Sequence, residues 1–177
     1  VEKSFRMGKR SDFEKIEKDF YRTFDVRAIT PLLPFIKNSK YVEPCYGLGD
    51  LVKLIGDNAK CVNYSDITTG INALTIDSEY CKDADYIITN PPWSRDKKSD
   101  FILHKLIEHF RQLKPTWLLF DSDWMHTKQS SELMKYCSTI VSVGRLIWIE
   151  GTNTTGKDNC CWYKFESFEC ETKFVGR

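Results

Sequence analysis

The chain has 177 residues, 41% of them hydrophobic and 29% charged, enough for one domain with a substantial core and without any apolar run of membrane-spanning length. A formal net charge of +1 does not announce a nucleic-acid partner through bulk charge, although residues 1–40 hold ten Lys/Arg against six Asp/Glu, leaving +4 there and −3 in the remainder. Seven cysteines with no CxxC and no paired Cys/His spacing predict reduced thiols in a cytoplasmic protein without a structural metal.

Residues 1–20 are charged and are expected as a loose basic start or a surface helix, with Phe13, Ile16 and Phe20 on one helical face. Tyr21-Arg22-Thr23-Phe24 follows. Residues 27–36 predict a helix, either N-capped by Thr30 with Pro31 in its first turn or starting near Asp25 and kinked at Pro31. Tyr41-Val42-Glu43-Pro44 reads as a first strand, residues 45–50 as a turn, and residues 51–55 as a helix closed by Gly56. Strand, glycine turn and helix form the first half of a nucleotide-binding βαβ unit. Gly47 and Gly49 let the backbone pass close to a ligand, and the helix start offers N–H groups. The third glycine of a Gly-x-Gly-x-x-Gly fingerprint would fall at Val52, which disfavours pyrophosphate binding.

Residues 61–64 predict a second strand ending at Asp66, which lies 23 residues after Glu43. That is near the spacing of about 20 for an acid that holds ribose hydroxyls, and the alternative is a capping Asp. Residues 73–76 predict a third strand closed by Asp77, an acid placed to meet the exocyclic amine of a bound adenine or simply to make a turn. Tyr86-Ile87-Ile88-Thr89 then reads as a short buried strand. It stops at Pro91 and Pro92, which have no N–H to give a sheet, so Asn90 sits at a strand's C-terminal edge with Trp93 beyond it. In an open α/β sheet that edge is where ligands bind.

A polar loop with Arg95, Lys97 and Lys98 leads into an amphipathic helix over residues 100–113, N-capped by Ser99 or Asp100. Its His104 and His109 are five apart, off one face, and so unsuited to share a metal. Residues 116–120 predict a further strand, ending in acids and Trp124 on the same edge as Asn90 if the sheet is parallel. A small helix over 130–136, a strand over 139–143 and an antiparallel hairpin over 144–166 complete the pattern. The expected fold is a Rossmann-like α/β domain spanning 1–177, with a seven-stranded, mostly parallel sheet, helices on both faces and the antiparallel C-terminal hairpin.

Glu43-Pro44-x-x-Gly47-x-Gly49, Asp66, Asp77 and Asn90-Pro91-Pro92-Trp93 occur in the order and spacing of class I S-adenosylmethionine-dependent amino-methyltransferases, which the chain resembles over roughly residues 20–125. It is most similar to the adenine-N6 group with Asn-Pro-Pro-Trp, and to bacteriophage and bacterial members. The resemblance implies a methyl donor, S-adenosylmethionine, lined by Tyr21, Thr23, Glu43, Gly47 and Gly49, with Asp66 at the ribose and Asp77 at the adenine. It implies that Asn90, Pro91 and Trp93 hold the target nitrogen, with Pro92, Arg95, Lys97, Lys98 and Trp124 on the substrate side and no metal. The implied substrate is adenine N6 of DNA or RNA. The alternatives are the glutamine amide of a protein, or a non-catalytic nucleic-acid-binding module. No separate target-recognition domain is expected, so a partner subunit would supply target choice.

The chemistry suits these residues. An aromatic amine is a poor nucleophile because its lone pair is delocalised, and acceptors that hold its hydrogens draw the nitrogen towards sp³ geometry. Asn90 offers one acceptor and the Pro91 carbonyl a second, while Trp93 offers a stacking face worth about 1–3 kcal/mol for a base. Transfer from a sulfonium then needs alignment and electrostatic support and no covalent intermediate.

Overall fold

Adjacent residues of the central strands face opposite sides of one sheet, and both sides are covered. Tyr41, Ile88, Trp117 and Trp162 pack on one face and Val42, Ile87, Leu118 and Tyr163 on the other, all of them buried. The computed structural model describes residues 21–93 and 101–177. Its strands are β1 (Lys40–Glu43), β2 (Lys60–Tyr64), β3 (Tyr86–Thr89), β4 (Thr116–Asp121), β5 (Cys137–Gly144), β6 (Cys160–Phe165) and β7 (Lys173–Val175). They form a seven-stranded sheet in the order β2-β1-β3-β4-β6-β5-β7. Only β6 runs against its neighbours, pairing antiparallel with both β4 and β5. The remaining pairs are parallel.

The α-helices are α1 (Leu33–Ile36), α2 (Asp50–Ile55), α3 (Ile102–Leu113) and α4 (Ser131–Met134). Leu103, Leu106, Ile107 and Phe110 line the buried stripe of α3, at the three- and four-residue spacing an amphipathic helix requires. Burying each such side chain contributes about 1.5–3 kcal/mol. On the opposite face, Leu51 and Ile55 of α2 join Ile29, Leu32 and Ile36. The chain leaves β1 for β2 on one side and places β3 on the other, so the strand order reverses between β1 and β3. That switch point opens a crevice at the strands' C-terminal ends.

Seven strands are present among the described residues, but they are not the seven expected. Residues 73–75 make a 3₁₀ turn rather than a third strand, because the Asn72 side chain accepts from Leu74 N at 2.9 Å and winds the chain. The sheet therefore ends at β2. Residues 145–150 are not a hairpin arm either. Gly144 takes a left-handed φ of 94° and ends β5, so β6 pairs with β5 itself across a long loop, residues 145–159. The seventh strand is β7, too short to carry an alternation signal.

The helix expected over 27–36 is split. Asp25 starts a 3₁₀ turn at Val26–Ala28, and α1 carries Pro34 in its first turn. Thr30 bonds back to Val26 O (2.9 Å) and does not cap. The helix expected near Phe13, the basic loop with Arg95, Lys97 and Lys98, and the caps Ser99 and Asp100 lie outside the described residues.

Candidate active site

The crevice between β1 and β3 holds a cavity of about 620 Å³, a size suited to a small ligand. It is lined from four directions: the segment Tyr21–Thr23, the β1 end with the glycine turn, the segment after β2, and the β3 end with α3. Of the residues expected at a two-substrate site, Tyr21, Thr23, Glu43, Gly47, Asp66, Asn90 and Pro92 converge on it.

Asn90 leaves β3 where the ladder stops. Its Nδ2 donates to Thr23 Oγ1 at 3.0 Å and towards Tyr21 O at 3.4 Å. A main-chain carbonyl can only accept, so these contacts fix which way round the amide sits. Its Oδ1 is buried, has no partner, and belongs to a residue that lines the cavity.

Glu43, on the neighbouring strand, is 1% exposed. Its Oε1 accepts from Cys45 N (3.3 Å) and from the Thr89 hydroxyl, while Oε2 has no partner. Burial pushes its carboxyl up to about 8, against the lowering effect of the Thr89 and Cys45 donors. Two buried oxygens without partners thus belong to cavity-lining residues on adjacent strand ends.

The glycine turn is fastened from the next strand. Asp66 Oδ2 accepts from Gly47 N (2.8 Å), and its Oδ1 accepts from Thr68 N (2.9 Å) and Thr68 Oγ1 (2.7 Å). Burial alone would raise this carboxyl, yet the donors outweigh it and hold it below the usual range, so it is ionised at neutral pH. Gly49 has φ 78°, and a Cβ there would fall 2.2 Å from the Tyr46 hydroxyl oxygen. Only glycine allows the ring to lie over the turn, where it stacks on Tyr64 at 4.3 Å.

Arg22 fastens the segment before β1. It donates to both oxygens of Asp50, at 2.6 and 2.9 Å, and also pairs with Glu150. The fork holds the Asp50 carboxyl below its ordinary range. Neither Arg22 nor Asp50 was among the expected site residues. An acid in the first turn after the glycines was the legible signal for Asp50, and Arg22 had none.

Other expected residues lie elsewhere. Asp77 is exposed and accepts from Tyr80 N at 2.9 Å, because the turn at 73–75 carries it off the sheet's edge. The wall after β2 is built instead from Ile67, Thr68, Asn72 and Leu74. Trp124 is 8% exposed, donates to His104 Nε2 (2.9 Å) and packs edge-on against Phe120 and Tyr163, which makes it a core residue. Pro91 is buried, and Trp93 is half-buried against Trp148 with ring centroids 5.9 Å apart. Among the described residues no group of three or more His, Cys, Asp or Glu is placed to hold a metal, and no helix is long and apolar enough to cross a membrane.

No protein-family model matches the sequence, and no curated protein matches it. Solved structures match in shape. A Lactococcus lactis protein provisionally described as a hemolysin superposes with a TM-score of 0.55 at 5% identity, over 88% of this chain and 95% of that one. The chain has a Rossmann-like fold. A Listeria monocytogenes protein provisionally described as a class I S-adenosylmethionine-dependent methyltransferase gives 0.46 at 10% identity, over 85% of this chain and 60% of that one. The M protein of the type I restriction enzyme EcoKI gives 0.44 at 12% identity, over 79% and 42%. The chain thus spans less than two thirds of these last two proteins.

Proposed function

We propose that this chain is an S-adenosylmethionine-dependent methyltransferase whose target is a planar amino nitrogen, adenine N6 of DNA or RNA. The observation that carries the reading is Asn90 Oδ1. It is a buried, partnerless acceptor at the end of β3, its amide locked by Tyr21 O and Thr23 Oγ1, on the wall of a ligand-sized cavity. In this reading its missing partner is the N–H of the attacking amine.

The residues fit the donor. Glu43 offers a second partnerless oxygen on a cavity-lining residue, and Gly47 leaves open space at the turn while Gly49 leaves room for the Tyr46 ring. Asp66 stands ionised at the cavity wall with lone pairs left for ribose hydroxyls. The adenine side falls to Ile67, Asn72 and Leu74 in place of Asp77. When bound, S-adenosylmethionine supplies an electrophilic methyl group on a sulfonium.

The chain's own part is positioning. Asn90 Oδ1 accepts one hydrogen of the target amine and raises the availability of its lone pair. Trp93 contributes a stacking face beside it. The two prolines hold the backbone so that the acceptor is preorganised, the kind of support worth about 10²–10³ in rate per group. A base inside a duplex would have to be flipped out at a few kcal/mol, so single-stranded or structured RNA or DNA is the easier substrate. Target choice by a partner subunit and action in the cytoplasm belong to the same reading.

The test offers labelled methyl donor with single-stranded DNA, duplex DNA, RNA and a protein extract. Label in N6-methyladenine is the expected outcome, and label in glutamine would move the substrate to a protein amide. Absence of donor binding by calorimetry to the folded protein would end the reading altogether.

A further inference from the structure

The loop between β5 and β6, residues 145–159, lies against the site without supplying a residue to the cavity wall. Three of its residues grip the segment that precedes β1. Ile147 N donates to Asp25 Oδ2 at 2.9 Å, the Trp148 ring meets Tyr21 edge-on at 6.3 Å, and Glu150 pairs with Arg22. Trp148 also touches the other half of the site, meeting Trp93 edge-on at 5.9 Å with the rings 86° apart. Its seat is tight: a Cβ on Gly156 would stand 3.0 Å from Trp148 Cδ1 and Nε1, and Gly156 N is tied to Leu146 O at 2.8 Å.

The gripped segment is the one that orients Asn90. Tyr21 O and Thr23 Oγ1 are the acceptors that decide where the Asn90 amide points. The same segment is also tied to the start of α2 by the Arg22 fork on Asp50, at 2.6 and 2.9 Å, and regular structure begins only at Val26. The Arg22–Glu150 pair is exposed on the Glu150 side and contributes little alone. Of the loop's contacts to Tyr21 and Arg22 the aromatic one is the stronger, since an edge-on pair adds about 0.5–1.5 kcal/mol beyond the area it buries.

We infer that Trp148 is a positioning residue for the proposed reaction: through Tyr21 it holds the 21–23 segment, and through that segment the Asn90 amide, while its other edge sets Trp93. The inference rests on the methyl-transfer reading for its kinetic consequence, but its structural step stands apart. Gly156 serves it by leaving room for the indole. The same loop thereby links the donor side of the cavity, through Arg22 and Asp50, to the acceptor side at Trp93.

The experiment follows the Asn90 side-chain amide by ¹H–¹⁵N NMR in the folded protein, the signal being identified by its loss in Asn90→Asp. In Trp148→Ala that signal is expected to shift and its hydrogen exchange to quicken about tenfold, with Trp148→Phe largely restoring it. Gly156→Ala, which displaces the ring without deleting it, should act in the same direction and covers the case in which Trp148→Ala fails to fold. Transfer to single-stranded oligodeoxynucleotides of mixed sequence should lose about tenfold in kcat in Trp148→Ala, with the KM for S-adenosylmethionine within about threefold. An Asn90 amide unchanged in both folded variants overturns the inference. A wild-type protein that labels no acceptor counts against the methyl-transfer reading, and the amide signal then judges the positioning role by itself.

Discussion

Glu43 provides the sharpest quantitative test, because one substitution has opposite consequences for the empty and the loaded protein. Burial lifts its carboxyl from an ordinary 4.5 to about 8 in the folded chain. The folded state therefore keeps a proton that the unfolded chain releases. The stability this contributes is complete below about pH 4.5 and is lost as pH rises through 8. The shift corresponds to a ceiling of roughly 5 kcal/mol, at about 1.4 kcal/mol per pH unit inside that window. Glu43→Gln keeps an acceptor for Thr89 and Cys45 N and removes the titration. Urea unfolding at a series of pH values should show the variant gaining on wild type from pH 5 to 8 and levelling off above. Parallel stability curves would refute the assignment.

Ligand binding should show the mirror image. A donor group that takes Glu43 Oε2 as acceptor, above all a cationic one, favours the ionised carboxylate and must expel the proton. At pH 7 a group titrating near 8 is about nine-tenths protonated, so close to one proton should leave per S-adenosylmethionine bound. Calorimetry in two buffers of different ionisation enthalpy measures that number directly, and Glu43→Gln should bring it to zero while weakening binding. No proton release in the wild type would mean that the ligand leaves Glu43 untouched.

Four further outcomes are expected. Asn90→Ala should abolish transfer while calorimetric affinity for S-adenosylmethionine stays within severalfold, since the role proposed for Asn90 Oδ1 is to hold the amine that receives the methyl group. Gly49→Ala should destabilise the fold by about 1–3 kcal/mol in urea titration, through the left-handed φ of 78° and the collision with the Tyr46 ring. Asp77→Ala should leave the donor's Kd within about twofold, because the residue is exposed and away from the cavity. Trp124→Phe should lower stability by about 1–3 kcal/mol, stranding His104, without changing transfer kinetics.

What could be read in the sequence follows from what the sequence encodes locally. The strand at Tyr86–Thr89 was legible because the two prolines end it by chemistry that no tertiary contact can override. The glycine turn was legible because positive φ at Gly47 and Gly49 has few other solutions. Residues 73–76 misled because Ala-Leu-Thr-Ile fits a strand as well as a turn, and an Asn72 side-chain hydrogen bond decided it. Asp77 was lost with that strand. Trp124 misled for a different reason, since an indole after a strand looks the same whether it turns to the site or into a core of Phe120, Tyr163 and Phe165. Arg22 and Trp148 were invisible, because their partners lie 28 to 128 residues away in sequence and no local pattern announces such pairs.

The case for a ligand between β1 and β3 rests on which polar atoms lack partners, and the number of them is not the point. Four buried side-chain atoms among the described residues have none: Tyr41 OH, Glu43 Oε2, Asn90 Oδ1 and Trp117 Nε1. Each unmade bond costs about 1–3 kcal/mol when the group is fully removed from water. Tyr41 and Trp117 are aromatic side chains whose rings fill one face of the core, so packing offsets the orphaned donor, and neither lines the cavity between β1 and β3. Glu43 and Asn90 differ on both counts. Neither is aromatic, and each lines the cavity at the ends of neighbouring parallel strands, which lie about 4.8 Å apart. A fold that needed these side chains only for structure could carry apolar ones of the same size at lower cost. A buried, partnerless oxygen on each of two neighbouring cavity-lining residues is the arrangement that polar groups of the proposed donor and acceptor would complete at the switch point.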